Sequence, residues 1–367
     1  MKIVFISNIL NHHQIKLCEA FLKKCDSFHF VATEKTGDFG YQNAREADFV
    51  LHYYNKDEKD LADKLIFDAD VVIYGACDSS IIEKRIMADK LTFLYSERLF
   101  KKGVWRRWIP MTRKKVNRRI LRFKDKNLFV LCASAYLSYD LLLLGFPLEK
   151  CYKWGYFPET EDEFSLKQKK DETEILWAGR MLDWKHPEAG LYLAKKLKRD
   201  NIRFRLSMVG DGPMLDKIKV KAEKAGLGSF VRFYGSLTPN EVRQKMKKAD
   251  IFIATSDCGE GWGAVVNEAM SSGCAVVASH AMGSAPYLVN EETGMVFQSK
   301  NWKDLYKKVD CLIKNPEKRS EMQQKAFASM KKIWNAEYSV DNFIKLVQSF
   351  NGADFEYKLK DGPCSKA

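Results

Sequence analysis

Residues 250–279 read DIFIATSDCGEGWGAVVNEAMSSGCAVVAS. DIFIATS and AVVAS are short apolar runs of strand length. Between them, a loop with Gly259, Gly261 and Gly263 opens AVVNEAMSS, a helical stretch closed by Gly273. Strand, helix and strand in this order make a β-α-β unit, which implies parallel strands in a sheet covered on both faces. The alternation continues outward. KIVFISN, HFVAT, DVVIYG, LTFLYS and LFVLCAS read as buried strands of the first half. EILWAG, RLSMVG and VRFYG join the two quoted runs in the second half.

FDADVVIYG at 67–75 and KKADIFIATS at 247–256 both put an Ala-Asp pair before a four-residue apolar strand, an echo between the halves. The charged stretch Glu159 to Thr173, ETEDEFSLKQKKDET, divides them. The expected architecture is α/β, with a Rossmann-like domain over 1–160 and a second over 172–335 facing it across a cleft. Phe343, Ile344, Val347 and Phe350 share one face of a helix over 336–350 that packs on a domain. The polar tail 351–367 is expected to fray.

The length of 367 residues fits two domains, and an apolar fraction of 46% supplies a core for each. No window approaches the roughly 18 to 20 apolar residues of a spanning helix. MKIVFISNIL has no signal-peptide features and reads as a first strand, so a cytoplasmic location is expected. The nine cysteines show no C-x-x-C pair and are expected to be reduced, mostly buried thiols.

The formal charge of +13 is concentrated. Residues 101–126, KKGVWRRWIPMTRKKVNRRILRFKDK, hold twelve Lys and Arg and one acid, Asp125. Trp105 and Trp108 stand three apart, Pro110 and Thr112 suit a helix start, and Val116, Ile120 and Phe123 recur at helical spacing. This basic amphipathic pattern suits an anionic membrane surface, with aromatic rings at the interface; the alternative is a solvated helix docked by its few apolar residues. No zinc-finger spacing, RNP-like motif or helix-turn-helix signature accompanies the charge, so no nucleic acid partner is expected.

The glycine loop carries the chemistry. It delivers a helix N-terminus, which suits a phosphate or diphosphate. Glu260 in the loop and Glu268 on the helix frame it, with seven residues between them. Two carboxylates would repel a diphosphate unless they faced neutral hydroxyls, and a carboxylate is a good acceptor for the vicinal hydroxyls of a ribose or hexose. The pair therefore suggests a nucleotide sugar. In ILWAGRMLDWKHPEAG the strand ends at Gly179, and Arg180 and Lys185 follow it, cations able to reach a diphosphate. MVGDGP at 208–213 offers Gly210 and Gly212, which either pass under the nucleotide or form a plain turn. Gly261, Trp262, Gly263, Ala264 and Val265 complete the expected donor contacts.

The order AGRMLDWKHP, VGDGP, VRFYGSL and EGWGAVVNEAMSSGCAVVAS, over about Glu174 to Trp334, resembles the retaining family 4 glycosyltransferases of the GT-B fold. The resemblance implies that Arg180 and Lys185 bind the donor diphosphate, Glu260 the donor sugar hydroxyls and Glu268 the ribose. It implies transfer with retention of configuration, an acceptor held by the first domain, and a last helix that crosses back to that domain. The first half departs from the pattern. SNILNHHQIKLCEAF puts His12 and His13 where many members have a Gly-Gly loop. LTFLYSERLF puts Ser96, Glu97 and Arg98 where many have a histidine. NHHQ and YSERLFKKG look similar to a bacterial subgroup acting on cell-surface polysaccharides.

The expected reaction moves a hexose from a nucleotide-diphosphate sugar, UDP-linked by preference, to a saccharide or polyprenyl-diphosphate-linked saccharide at the inner membrane face. Arg180, Lys185 and the loop amides would stabilise the leaving diphosphate without a metal or other cofactor. His12 or His13 could orient the acceptor hydroxyl. Asp68-Ala69-Asp70 has a D-x-D form but precedes a strand, and it reads as structural. A nucleotide-sugar epimerase on a similar fold and a non-catalytic polyanion-binding protein stay open as alternatives.

Overall fold

The buried apolar runs pair as two parallel sheets. The structure, a computed structural model, describes residues 1–35, 47–164, 167, 171–350, 352 and 357–367. The remaining parts of the expected linker and tail, 165–166, 168–170, 351 and 353–356, lie outside the described residues. The chain forms two compact units, Met1–Pro158 with Trp334–Ala367, and Glu159–Ile333.

The first sheet contains β1 (Lys2–Ser7), β2 (Ser27–Ala32), β3 (Val50–His52), β4 (Val71–Tyr74), β5 (Thr92–Ser96), β6 (Leu128–Cys132) and β7 (Cys151–Lys153), in the order β3-β2-β1-β4-β5-β6-β7. The second contains β8 (Thr173–Ala178), β9 (Phe204–Val209), β10 (Val231–Phe233), β11 (Ile251–Ala254), β12 (Ala275–Ser279) and β13 (Gly294–Phe297), in the order β10-β9-β8-β11-β12-β13. Every pairing is parallel, with registers such as Ile3↔Val71 and Ile251↔Ile175. Both orders are doubly wound and progress away from the first strand in two directions.

The Ala-Asp echo has a shared physical use. The Asp70 carboxylate accepts the N–H of Lys2 at the start of β1 (2.7 Å), and the Asp250 carboxylate accepts the N–H of Glu174 in β8 (2.8 Å). In each unit the residue before the fourth strand ties down the beginning of the first, so the D-x-D pattern at 68–70 is a strand anchor. Arg85, 1% exposed, closes the same corner of the first unit. Its Nη1 donates to the carbonyls of Ile66, Phe67 and Ala69, and its Nη2 donates to those of Asp70 and Leu91, all within 3.1 Å. Burial lowers its pKa to about 10, against the pull of Asp70.

The helix Ala336–Phe350 belongs to the first unit. Phe343 meets Phe21 edge-on at 5.7 Å and Phe93 at 4.9 Å, and Phe350 stacks on Phe129 at 4.3 Å. Its fully buried apolar face is Val340, Phe343, Leu346 and Val347, so Leu346 takes the place expected for Ile344. The end of the chain does not fray. Cys364 N–H donates to the Lys153 carbonyl and Lys153 N–H to that of Ser365, both at 2.7 Å, and Tyr152 and Lys366 form an antiparallel bridge. Edge strand β7 leaves backbone groups open, and the polar tail satisfies them. The acidic linker is likewise engaged: Glu159 pairs with Arg243 and Glu161 with Lys247, both at 2.8 Å.

Candidate functional site

In the second sheet β8 has β9 on one side and β11 on the other, so the winding direction switches between β8 and β11. A switch of this kind leaves a crevice beyond the carboxyl ends of the two strands, where ligands of open α/β sheets bind. The loop after β8 carries Gly179, Arg180 and Lys185, and the loop after β11 carries Glu260 and the glycines. The fold thus brings together windows separated by 75 positions.

Contacts lock the loops to one another. Lys185 makes an ion pair with Glu260, with side chains 20% and 16% exposed. Ser256 Oγ donates to the same carboxylate oxygen, Oε2, at 3.1 Å, which leaves Oε1 without a partner among the described residues. Thr255 Oγ1 accepts the Trp177 indole N–H at 2.8 Å and donates to the Lys185 carbonyl at 2.6 Å. The N–H of Asp257 donates to the Trp184 carbonyl at 2.9 Å.

Asp257 is the hub. Its Oδ1 accepts the N–H of Gly259 at 2.8 Å, and its Oδ2 faces His186 Nε2 at 3.1 Å and Lys300 Nζ at 3.0 Å. The other ring nitrogen of His186 meets Glu188 Oε1 at 2.8 Å. Burial works against a charged imidazole here, but hydrogen bonds and charge from Glu188 and Asp257 outweigh it and raise the His186 pKa above its ordinary 6.5. Asp257 is held below the ordinary carboxylate value: burial opposes this, while the Gly259 amide, Lys300 and His186 favour the charged form.

Gly210 has φ +126°, and a Cβ there would sit 1.9 Å from the Gly179 carbonyl oxygen. It is required because the turn after β9 lies directly against the loop carrying Arg180. Gly212 packs in the same way on Met181. Both glycines therefore shape the loop, a role their backbone contacts explain without a nucleotide. Gly263, at φ +87°, leaves room for the Met282 methyl, 2.4 Å from where a Cβ would stand.

The remaining expected residues divide. Arg180 is exposed in the first loop, and Glu268 is half-buried on the helix Val265–Ser271. Gly261 and Ala264 are buried, and among the described residues the amides of Ala264 and Val265 make no backbone hydrogen bond, as a helix start requires. Trp262 does not present its ring to a ligand: the indole is fully buried, and its N–H donates to Asn267 Oδ1 at 2.8 Å. An apolar ring of that size beside a buried amide acceptor is a core anchor. His12 begins the helix His12–Lys24 of the first unit, behind an Asn11 capping box with Gln14. Sequence reasoning passed over Thr255, Ser256, Asp257 and His186. Position was the available signal, since each directly follows a strand end or a chosen cation.

A doubly wound domain with a Lys–Glu pair and a glycine loop at its switch point fits a group 1 glycosyltransferase domain, and residues 158–329 match that family's model, Glycosyl transferases group 1. The structure has the GT-B fold. Anabaena HepE, solved with UDP, superposes with a TM-score of 0.69 at 13% identity, over 96% of this chain and 100% of that one. The lipopolysaccharide outer core galactosyltransferase WaaB superposes with a TM-score of 0.69 at 16% identity, over 95% and 100%. The sulfoquinovosyl transferase SQD2 of Arabidopsis thaliana is 33% identical over 136 residues, which are 36% of this chain and 26% of that protein. An uncharacterized glycosyltransferase of Methanocaldococcus jannaschii is 25% identical over 57% of this chain and 52% of its own length. The chain thus spans about a quarter to half the length of these two relatives.

Proposed function

We propose that this chain transfers a hexosyl group from a nucleoside-diphosphate sugar to a hydroxyl of a saccharide or lipid-linked saccharide, with retention of anomeric configuration, in the synthesis of surface polysaccharide. The observation that carries the reading is the Lys185–Glu260 pair beside the glycine loop at the sheet's switch point. Lys185 supplies positive charge where a diphosphate would lie. Glu260 keeps one oxygen for a sugar hydroxyl while its other holds the lysine in place. HepE has been solved with UDP and with UDP-glucose, which favours a UDP-linked donor.

In the proposed reaction the acceptor oxygen forms a bond to C1 of the donor sugar on the face the diphosphate leaves. The C1–O bond breaks with its electron pair on the diphosphate, and the acceptor proton passes to that leaving group. Arg180, Lys185 and the helix-start amides stabilise the developing charge, and such preorganised donors contribute most in a water-poor site. The cations are supplied by the chain, so transfer is expected to persist in EDTA. His12 is proposed to orient the acceptor hydroxyl.

The proposal extends to a peripheral place on the inner membrane face through 101–126. Trp105, Trp108 and Met111 are 58%, 67% and 82% exposed, and they stand among unburied bases. Among the described residues, no helix is long and apolar enough to cross a membrane. The test is a thermal-shift screen of nucleotide sugars followed by transfer assays. Lys185→Ala and Glu260→Gln are each expected to slow transfer about 100-fold or more. Near wild-type rates in both variants would refute the assigned site.

A further inference from the structure

The first unit contains a cavity of about 570 Å³, bounded by the ends of β1 and β5 and by the basic segment. That volume lies within the range of small-molecule sites, about 300 to 1,000 Å³. Its lining combines two chemistries. It includes Asn8, Asn11 and Gln14, neutral amides whose NH₂ groups suit sugar hydroxyls. It also includes Arg98, Lys102, Arg106, Lys115 and Arg119.

Among the described residues, Glu97 is the one carboxylate that lines the cavity, and it is engaged by Lys101 at 2.6 Å and by the Tyr156 hydroxyl at 2.9 Å. Among the described residues, Lys102, Arg106 and Lys115 pair with no carboxylate. Arg98 is 10% exposed, and its Nε is buried without a hydrogen-bond partner. Its nearest acid is the fully buried Asp140 at 3.7 Å, whose Oδ2 is taken by the N–H groups of Leu99 and Phe100 at 2.8 and 3.1 Å. Arg119 Nη2 donates to the Gly75 carbonyl at 2.8 Å, and its Nε is also buried and unpartnered. Two guanidinium groups with orphaned donors among further cations are costly unless an anion completes them.

We infer that this cavity binds a phosphate- or diphosphate-bearing saccharide, its anion on Arg98, Lys102, Lys115 and Arg119 and its sugar against Asn8, Asn11 and Gln14. The inference rests on the transferase reading in treating this ligand as the acceptor; the anion site itself stands on the cavity. Arg98 and Arg119 are the fixed part of the site, because their planar donors suit phosphate oxygens. Lys102 and Lys115 are exposed and add charge without supporting the fold.

The test saturates the full chain with UDP to fill the donor site, titrates inorganic pyrophosphate by calorimetry, and compares wild type with Lys102→Gln/Lys115→Gln. The double variant is expected to bind pyrophosphate about tenfold or more weakly. Equal binding by the two proteins, or no binding by wild type, would overturn the inference. UDP binding, measured on these proteins and on Lys185→Ala, is expected to fail only in Lys185→Ala. Its failure in wild type would sink the donor reading and leave the pyrophosphate result standing.

Vesicles separate the sources of the anion. Phosphatidylcholine vesicles carrying a prenyl diphosphate should recruit wild type and lose the double variant, while vesicles of equal charge made with phosphatidylglycerol should recruit both. Equal loss from both vesicle types would assign the lysines to general membrane attraction and overturn the cavity assignment.

Discussion

Asp257→Asn separates charge from shape in the coupling of the two site loops. The substitution keeps Oδ1 for the Gly259 amide and puts an NH₂ where Oδ2 faced His186 and Lys300. Lys300 is 61% exposed, and a pair so open contributes about 0–1 kcal/mol. His186 is 8% exposed by surface area. A hydrogen bond to its charged ring contributes about 1.5–3 kcal/mol, and the amide NH₂, a donor only, cannot accept from the charged ring's Nε2–H, so the expected deficit is that full amount while the ring is protonated. The sign follows from the raised pKa of His186. Its contribution is complete below the ordinary value of 6.5 and is lost as pH rises through the higher folded value. The variant should therefore be least stable relative to wild type near about pH 6 and close to it near about pH 9. Urea unfolding at both pH values measures the deficit, and NMR titration of the six histidines locates the His186 transition. A wild-type His186 that titrates at or below its ordinary value, or a deficit equal at both pH values, would refute the reasoning.

Two further substitutions probe the frame. Gly210→Ala places a methyl against the Gly179 carbonyl at a backbone angle L residues rarely adopt, and should cost more than about 3 kcal/mol. Gly145→Ala, with nothing within 4 Å of its Cβ position, controls for backbone angle alone in the same thermal unfolding series. Arg85→Met strips the donor from five backbone carbonyls, each worth about 1–3 kcal/mol when left buried and unpaired. The first unit should lose its folded circular-dichroism signal, and a folded Arg85→Met protein of wild-type stability would contradict the anchor role.

The ten apolar runs of the sequence are strands in the structure, because a doubly covered parallel sheet buries most of their positions and leaves few polar ones, such as Arg205 and Arg232, to mask the pattern. The three strands the pattern missed, β3, β7 and β13, have only three or four residues and lie at sheet edges, with half-buried positions such as Leu51 and Met295. A period cannot declare itself over so few residues. At the site, Lys185, Glu260 and the glycines were legible because each stands at a strand end. The Asp257–His186–Glu188 chain was not, since it joins residues 71 positions apart through ring nitrogens that no spacing rule connects. Trp262 misled because its neighbours in sequence line the loop while its ring turns into the core.

The basic segment shows most clearly what sequence charge hides. Its twelve cations look like one surface, yet the fold assigns them different work. Arg118 and Arg122 are spent on Asp78 and Glu83, at 3.7 and 2.8 Å, and Arg119 turns inward to the Gly75 carbonyl. Val116, Ile120 and Phe123 are the residues that dock the segment on the sheet, so the apolar stripe read from spacing faces the core. The aromatic face turned to solvent is a different set, Trp105, Trp108 and Met111. The helix Pro110–Arg119 thus has an inner edge, with Lys115 and Arg119, that lines a cavity, and an outer edge with Arg113 and Lys114 exposed and, among the described residues, paired with no carboxylate. A ligand anion in the cavity and an anionic surface outside would draw on separate residues of the same basic segment, which is why Lys115 and Trp108 can be changed independently and should fail in different assays.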